Sequence, residues 1–192
     1  MTAQPKPRMT VDEFLVWAEG RPGRHELVDG EIFAMSPERV RHAEVKASAY
    51  LALRSALGRT QLPCRALPDG MSVRIDRTTL FEPDALVYCG ARADPDAIEI
   101  TNAVIVVEVV SPSTASVDSG RKLAGYFSLA SVAHYLMIDP VKRVAIHHGR
   151  DAEGQIMTRI ATEGTLDLTP PGLTLPVSDL FADLPPPADP AA

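Results

Sequence analysis

Glu108 is the sharpest chemical signal in the chain. It interrupts a run of valine and isoleucine from Ala103 to Val110 that reads as a strand buried on both faces. A carboxylate in such a strand is costly unless it is hydrogen-bonded, paired or bound to a metal. Its plain reading is a strand-end glutamate with a salt-bridge partner. Its functional reading is a metal ligand at the carboxyl end of a central strand, where α/β sheets favour ligand crevices. Asp84 follows Pro83 at the head of a second apolar segment, DALVYC. Alone it reads equally as a turn cap. On neighbouring strands, however, the two carboxylates would converge on one cation, and Mg²⁺ takes hard oxygen ligands of this kind. Lys122 lies 14 residues beyond Glu108, on a helix expected to leave directly from that strand. It reads either as a solvated helix lysine or as an ammonium that holds an attacking water or neutralises a phosphoryl oxygen.

Weaker candidates surround these three. Glu26 sits in a short strand before a tight turn, where a strand-face charge is the plainer reading. His42, near a helix start, reads as structural or exposed. His147 and His148 are adjacent on an expected strand and point to opposite faces, a poor metal clamp. There is no G-x-S-x-G elbow, Walker A sequence or G-x-G-x-x-G. The hydroxyls of Ser111 to Thr114 have no histidine base placed beside them, which sets serine hydrolysis aside.

Positioning these groups requires an ordered set of elements. Thr10 and Glu13 form a capping box, followed by Val11, Phe14, Leu15 and Ala18 on one helical face; Gly20 and the Arg21-Pro22-Gly23 turn end it. HELVDGEIFAMSP reads as two strands about Asp29-Gly30, a strong hairpin signal, with Leu27 and Ile32 facing inward. Glu38 to Leu57 is helical, with Val45, Ala49, Leu53 and Ala56 on or near one stripe and Gly58 as its stop. LPCRAL, MSVRI and DALVYC are short strands, separated from the Glu108 strand by an acidic loop over 90–101. Pro112 ends the Glu108 strand. A helix over 116–128 follows, capped by Ser116 or Thr114 and packing through Leu123, Tyr126 and Phe127. HYLMIDP, VAIHHG and QIMTRIA supply further strands, then a short helical turn precedes a Pro/Ala tail. The expectation is an α/β or α+β domain with one mixed sheet flanked by helices. Its boundaries are a loose arm over 1–9, a domain over 10–184 and a disordered tail over 185–192.

The bulk numbers suit that reading. A chain of 192 residues with 45% hydrophobic content can bury one core. The N-terminus lacks a signal-peptide pattern, and the longest apolar run is too short to span a bilayer, so a cytoplasmic protein without a membrane is expected. Cys64 and Cys89 are in no paired metal motif and read as buried or reduced thiols, with a disulfide as the alternative, although nothing else suggests an oxidising compartment. Lys and Arg number 19 against 25 Asp and Glu, a net charge of −6. That balance opposes tight duplex binding unless a local basic patch or bound cations offset it.

HELVDGEIFAMSPERVRH, FEPDALVY, VVEVVSPSTASVDSGRKLAGY and HYLMIDP together resemble the Uma2 family (DUF820), a branch of the PD-(D/E)XK nuclease superfamily. The likeness runs from about Thr10 to His147, most specifically in VEVVSPST followed by D-x-G-x-K-L-x-x-Y at Asp118 to Tyr126. The resemblance implies a restriction-endonuclease-like fold, Mg²⁺ or Mn²⁺, and phosphodiester hydrolysis, with DNA as the expected substrate; a homodimer is expected from the common two-fold symmetry of enzymes that face a duplex. It assigns Asp84, Glu108 and Glu26 to the metal and adds Lys122 as a catalytic group. The superfamily's usual lysine, two residues past the acid, is Val110 here, and the resemblance places the lysine on the next helix instead. The alternatives are a non-catalytic domain on the same fold that binds nucleic acid or protein, and a hydrolase of small phosphorylated substrates.

Overall fold

The computed structural model describes residues 8–110 and 118–185, with the backbone alone at 118 and 119. The expected Pro/Ala tail beyond 185, most of the N-terminal arm, Ser111 to Thr114, and the Ser116 or Thr114 cap lie outside the described residues. Met9 donates its amide to Gly30 O at 3.1 Å.

Helix α1 (Val11–Ala18) carries the expected capping box: Thr10 N–H donates to Glu13 Oε2 at 2.7 Å, and Glu13 N–H to Thr10 Oγ1 at 3.3 Å. Its Val11 and Phe14 bury against Leu27 and Leu80. Strands β1 (His25–Val28) and β2 (Glu31–Ala34) join through Asp29 (φ 51°) and Gly30 (φ 78°), the two left-handed positions a tight hairpin turn requires. Ile32 does not face inward as expected. β2 is an edge strand exposed along its length, and Ile32 is 36% accessible, because α1 covers the hairpin at Leu27 and leaves β2 uncovered.

Helix α2 (Val40–Gly58) runs one residue through the glycine expected to stop it, and buries Val45, Ala49, Leu53 and Ala56 as the stripe required. Strands β3 (Cys64–Pro68), β4 (Val73–Arg74), β5 (Leu80–Phe81), β6 (Ala85–Cys89) and β7 (Ala103–Val109) follow. Then come α3 (Asp118–Ser128), β8 (His134–Asp139), β9 (Val144–Arg150) and β10 (Ile156–Ala161).

The expected mixed central sheet flanked by helices is present, and a second sheet that was not foreseen stands beside it. A six-stranded sheet in the order β10-β9-β8-β7-β6-β3 forms the centre, and β2-β1-β5-β4 forms a second sheet. The central sheet is mixed because β7 and β8 run parallel while its other pairs are antiparallel. A parallel neighbour requires a crossover, and α3 supplies it. A third, two-stranded unit, β11 (Thr165–Leu168) with β12 (Leu173–Pro176), was not foreseen. Its alternating leucines 166, 168, 173 and 175 are buried under the sheet beside a 3₁₀ turn, Val177–Phe181.

Both faces of β7 are covered, which explains its nearly continuous apolar sequence. Ile105, Val107 and Val109 pack with Val45, Ala49 and Leu53 of α2. Val106 packs on the opposite side with Phe81, Tyr126 and Tyr135, and alternation puts Glu108 and Val110 on that side too. Helix α3 lies close to β5: a Cβ at Gly125 would stand 2.7 Å from the Phe81 ring.

The two cysteines were expected as buried or reduced thiols, with a disulfide as the alternative, and the structure gives the alternative. They face each other across β3 and β6 and form a disulfide. Their pairing depends on strand register, which their 25-residue separation does not reveal.

Candidate metal and active site

Asp84 immediately precedes β6 and Glu108 is the penultimate residue of antiparallel β7, so both stand at the same end of the central sheet. Asp84 N–H donates to Val107 O at 2.9 Å, and Asp84 Oδ2 accepts from Val109 N–H at 2.6 Å. The Asp84 carboxylate is thereby pinned next to Glu108. Glu26 comes from the smaller sheet, where Glu82 N–H donates to its Oε1 at 2.8 Å. Lys122, on the first turns of α3, joins the two sheets: its Nζ donates to Glu26 Oε1 at 2.9 Å and to Glu108 Oε1 at 3.0 Å. Tyr126, one turn further, donates its hydroxyl to Glu108 Oε1 at 2.7 Å. The four residues singled out in the sequence are all buried; Lys122 joins Glu26 to Glu108, and Asp84 stands near enough for its charge to act on Glu108.

Electrostatics here follow burial. Desolvation raises the Glu108 carboxyl to about 8 against the pull of Lys122, and the charges of Asp84 and Glu26 push the same way. Burial and the adjacent Glu108 push the Tyr126 phenol well above its ordinary range.

A second group adjoins the first through Asp84. Lys46, 6% exposed, is 3.0 Å from Asp84 Oδ1, 2.7 Å from Asp69 Oδ2 and 2.5 Å from Glu38 Oε1. Burial alone would lower its pKa, but Asp84, Asp69 and Glu38 more than offset that and raise it. His42 Nε2 lies 3.8 Å from Asp84 Oδ2. One potential ligand atom from each of Glu38, His42 and Asp84 lies within 4.8 Å of the others, a geometry able to hold a metal ion. Arg24 backs the group, bonding Asp69 at 2.7 Å and Glu82 at 2.9 Å.

Reading the sequence missed Glu38, Lys46 and Asp69, took His42 as structural or exposed, and counted Tyr126 as packing alone. One signal was available: His42 and Lys46 are spaced by four, which aligns them along one face of α2, with Glu38 just ahead of its N-terminus. His147 and His148 take no part. They lie on opposite faces of β9, His147 Nε2 at 2.9 Å from His134 Nδ1 and His148 Nδ1 at 2.8 Å from Thr158 Oγ1.

The donors fit a hard divalent cation. Glu26, Glu38, Asp84 and Glu108 offer carboxylate oxygens and His42 an imidazole, a set suited to Mg²⁺ or Mn²⁺. Burial above all, with the charges of Asp84 and Glu26 beside it, raises the Glu108 carboxyl despite Lys122, and strongly perturbed carboxyls of this kind cluster at functional sites.

The model of the Uma2 family, described as "Putative restriction endonuclease", matches residues 11–178. The uncharacterized protein slr1290 of Synechocystis sp. is 26% identical over 182 residues, covering 94% of this chain and 95% of that one. The crystal structure described as "a putative nuclease belonging to DUF820" from Anabaena variabilis superposes with a TM-score of 0.71 at 18% identity. It covers 91% of this chain and 98% of its own, a likeness of fold. With the matched region spanning both sheets and every residue of the site, the chain belongs to the Uma2 family.

Proposed function

We propose that this protein is a metal-dependent endonuclease that hydrolyses phosphodiester bonds in DNA. The observation that carries the reading is the convergence of Glu26, Glu108 and Lys122, from two sheets and a crossover helix, beside Asp84. Asp84 and Glu108, with Glu26, would hold Mg²⁺ or Mn²⁺; Glu38 and His42 extend the donor set at Asp84. Such an ion, when bound, polarises a phosphoryl oxygen and lowers the pKa of a bound water. Val109 N–H, Glu82 N–H and Tyr126 Oη–H each fix one oxygen of Asp84, Glu26 and Glu108, respectively. The carboxylates are thus oriented before substrate arrives. The Lys122 ammonium, held between Glu26 and Glu108, donates to the attacking water and to the phosphate as charge builds. We further propose a homodimer, matching the two-fold symmetry of a duplex, and a cytoplasmic location. Among the described residues no helix is long and apolar enough to cross a membrane.

A nuclease panel tests this: duplex DNA, single-stranded DNA and RNA, each with Mg²⁺, Mn²⁺ or EDTA, beside a Glu108→Ala control. Cleavage that needs a divalent ion and vanishes in the control is the expected result. The net charge of −6 favours a second reading, a non-catalytic binding domain on the nuclease fold. Nucleic-acid or protein binding with no cleavage in any arm would favour it over the first.

A further inference from the structure

The proposed chemistry leaves Lys46 without a role, although its placement is unusual. It is almost fully enclosed, and burying an ammonium costs several kcal/mol unless partners offset it. Its partners are two of the three residues able to hold a metal together, Asp84 and Glu38, plus Asp69. An ammonium 3.0 Å from Asp84 Oδ1 stands where a cation ligated by that oxygen would meet strong repulsion. Asp69 gives the lysine somewhere to go: it is 2.7 Å from Nζ, is anchored by Arg24, and is not among the three metal-capable residues.

We propose that Lys46 is the built-in counter-ion of the Glu38–His42–Asp84 group. It holds Asp84 and Glu38 in place of a divalent cation, and it must withdraw onto Asp69 for that cation to load. Lys46 thereby sets the cation concentration at which the site fills. This rests on the reading of Asp84 as a metal ligand. Lys46 is a positioning residue here: it acts through Asp84 rather than on substrate.

The test is Mn²⁺ affinity, read from the paramagnetic resonance of free Mn²⁺, for wild type, Lys46→Gln, Lys46→Arg and Asp84→Asn, with melting temperatures in EDTA alongside. Lys46→Gln is expected to bind Mn²⁺ about tenfold more tightly or better, since it removes one positive charge within contact distance of the ligands, and to melt lower without metal. Lys46→Arg keeps the charge and stays near wild type, while Asp84→Asn loses binding. A Lys46→Gln protein that melts lower yet binds Mn²⁺ no more tightly than wild type makes the lysine a plain structural ion pair and overturns the proposal. Should Lys46→Gln fail to fold, the ammonium resonance of Lys46 in isotope-labelled wild type is followed during Mg²⁺ titration. A shift on loading supports the proposal, and an unmoved resonance at saturation overturns it. Wild-type binding that survives Asp84→Asn, or no Mn²⁺ binding by wild type or Lys46→Gln, overturns the metal-site reading itself, and the proposal with it.

Discussion

Two buried lysines serve the same end of the central sheet in opposite electrostatic settings. Lys122 bridges Glu26 and Glu108 in a place closed by Tyr126 and by the Phe81 ring, 5.5 Å from its Nζ. Lys46 bridges Asp84 to Asp69 and Glu38, whose side chains remain 36% and 30% exposed. Around Lys122 the Glu108 carboxyl is pushed up. Beside Lys46 the Asp69 carboxyl is pulled down: desolvation is its largest single influence and raises it, but Lys46 and Arg24 together outweigh that. An ion pair alone does not fix the sign of a carboxyl's shift. The share of water lost decides whether the partner or the desolvation wins.

Substitutions at the inner lysine's partners should break that contrast most forcefully. Glu108→Gln is expected to reduce metal-dependent cleavage by about a hundredfold or more while leaving the fold intact. Its effect on stability has a definite sign. The folded Glu108 pKa, near 8, lies above the ordinary 4.5. Its contribution is therefore fully present below about 4.5 and lost as pH rises through about 8. Metal-free wild type should weaken across that window, and Glu108→Gln should flatten the slope and be the more stable protein above it. Urea melts in EDTA at several pH values read this, and identical slopes would sink the assignment.

A smaller but more selective effect is expected at Lys122. Lys122→Ala should lose most of the turnover, on the order of a hundredfold, yet keep Mg²⁺ binding. Lys122→Arg should rescue poorly, because a planar fork does not replace a compact ammonium. Arg121, 53% exposed and 3.9 Å from Asp29, points away along the helix, and Arg121→Ala should cost about threefold at most. Single-turnover cleavage with separately measured Mg²⁺ affinity decides. Near-normal turnover in Lys122→Ala would leave the water-activating group to be found elsewhere.

The smallest expected effect lies outside both centres. Desolvation lowers His134 and His148, and lowers His147 to about 4. A histidine with a depressed folded pKa contributes stability that is present above about 6.5 and lost as pH falls through the folded value. The protein should therefore weaken between about pH 6.5 and 4. His147→Gln should reduce that acid sensitivity and leave cleavage and Mg²⁺ affinity unchanged. A variant as acid-sensitive as wild type would clear His147 of the effect.

Much of this is legible in the sequence. Strands buried on both faces announce themselves by unbroken apolar sequence, so β7 and its exceptional glutamate stood out. Capping boxes and Asp-Gly turns are local, and α1 and the first hairpin followed. The division into two sheets depends on which strand pairs with which, a property of non-local packing, and so did the Cys64–Cys89 bond. The same limit hid the outer cluster. Lys46 looks solvent-bound in sequence because lysine usually is, and nothing local says that Asp69, on the turn after β3, folds back against it.

Gly125 gives the site a mechanical tolerance. A glycine in a helix ordinarily weakens it by about 1 kcal/mol relative to alanine, so its presence in α3 calls for compensation. The compensation is proximity: the missing methyl lets the helix settle on Phe81, which is 1% exposed and has nowhere to yield. Lys122 sits one turn earlier on that same helix, and a side chain of fixed length must span from α3 to carboxylates on two separate sheets. The clearance at Gly125 is therefore a spacer gauge for the whole assembly. The reach of the ammonium is set by an atom that is absent, at a position that carries no charge and touches no substrate.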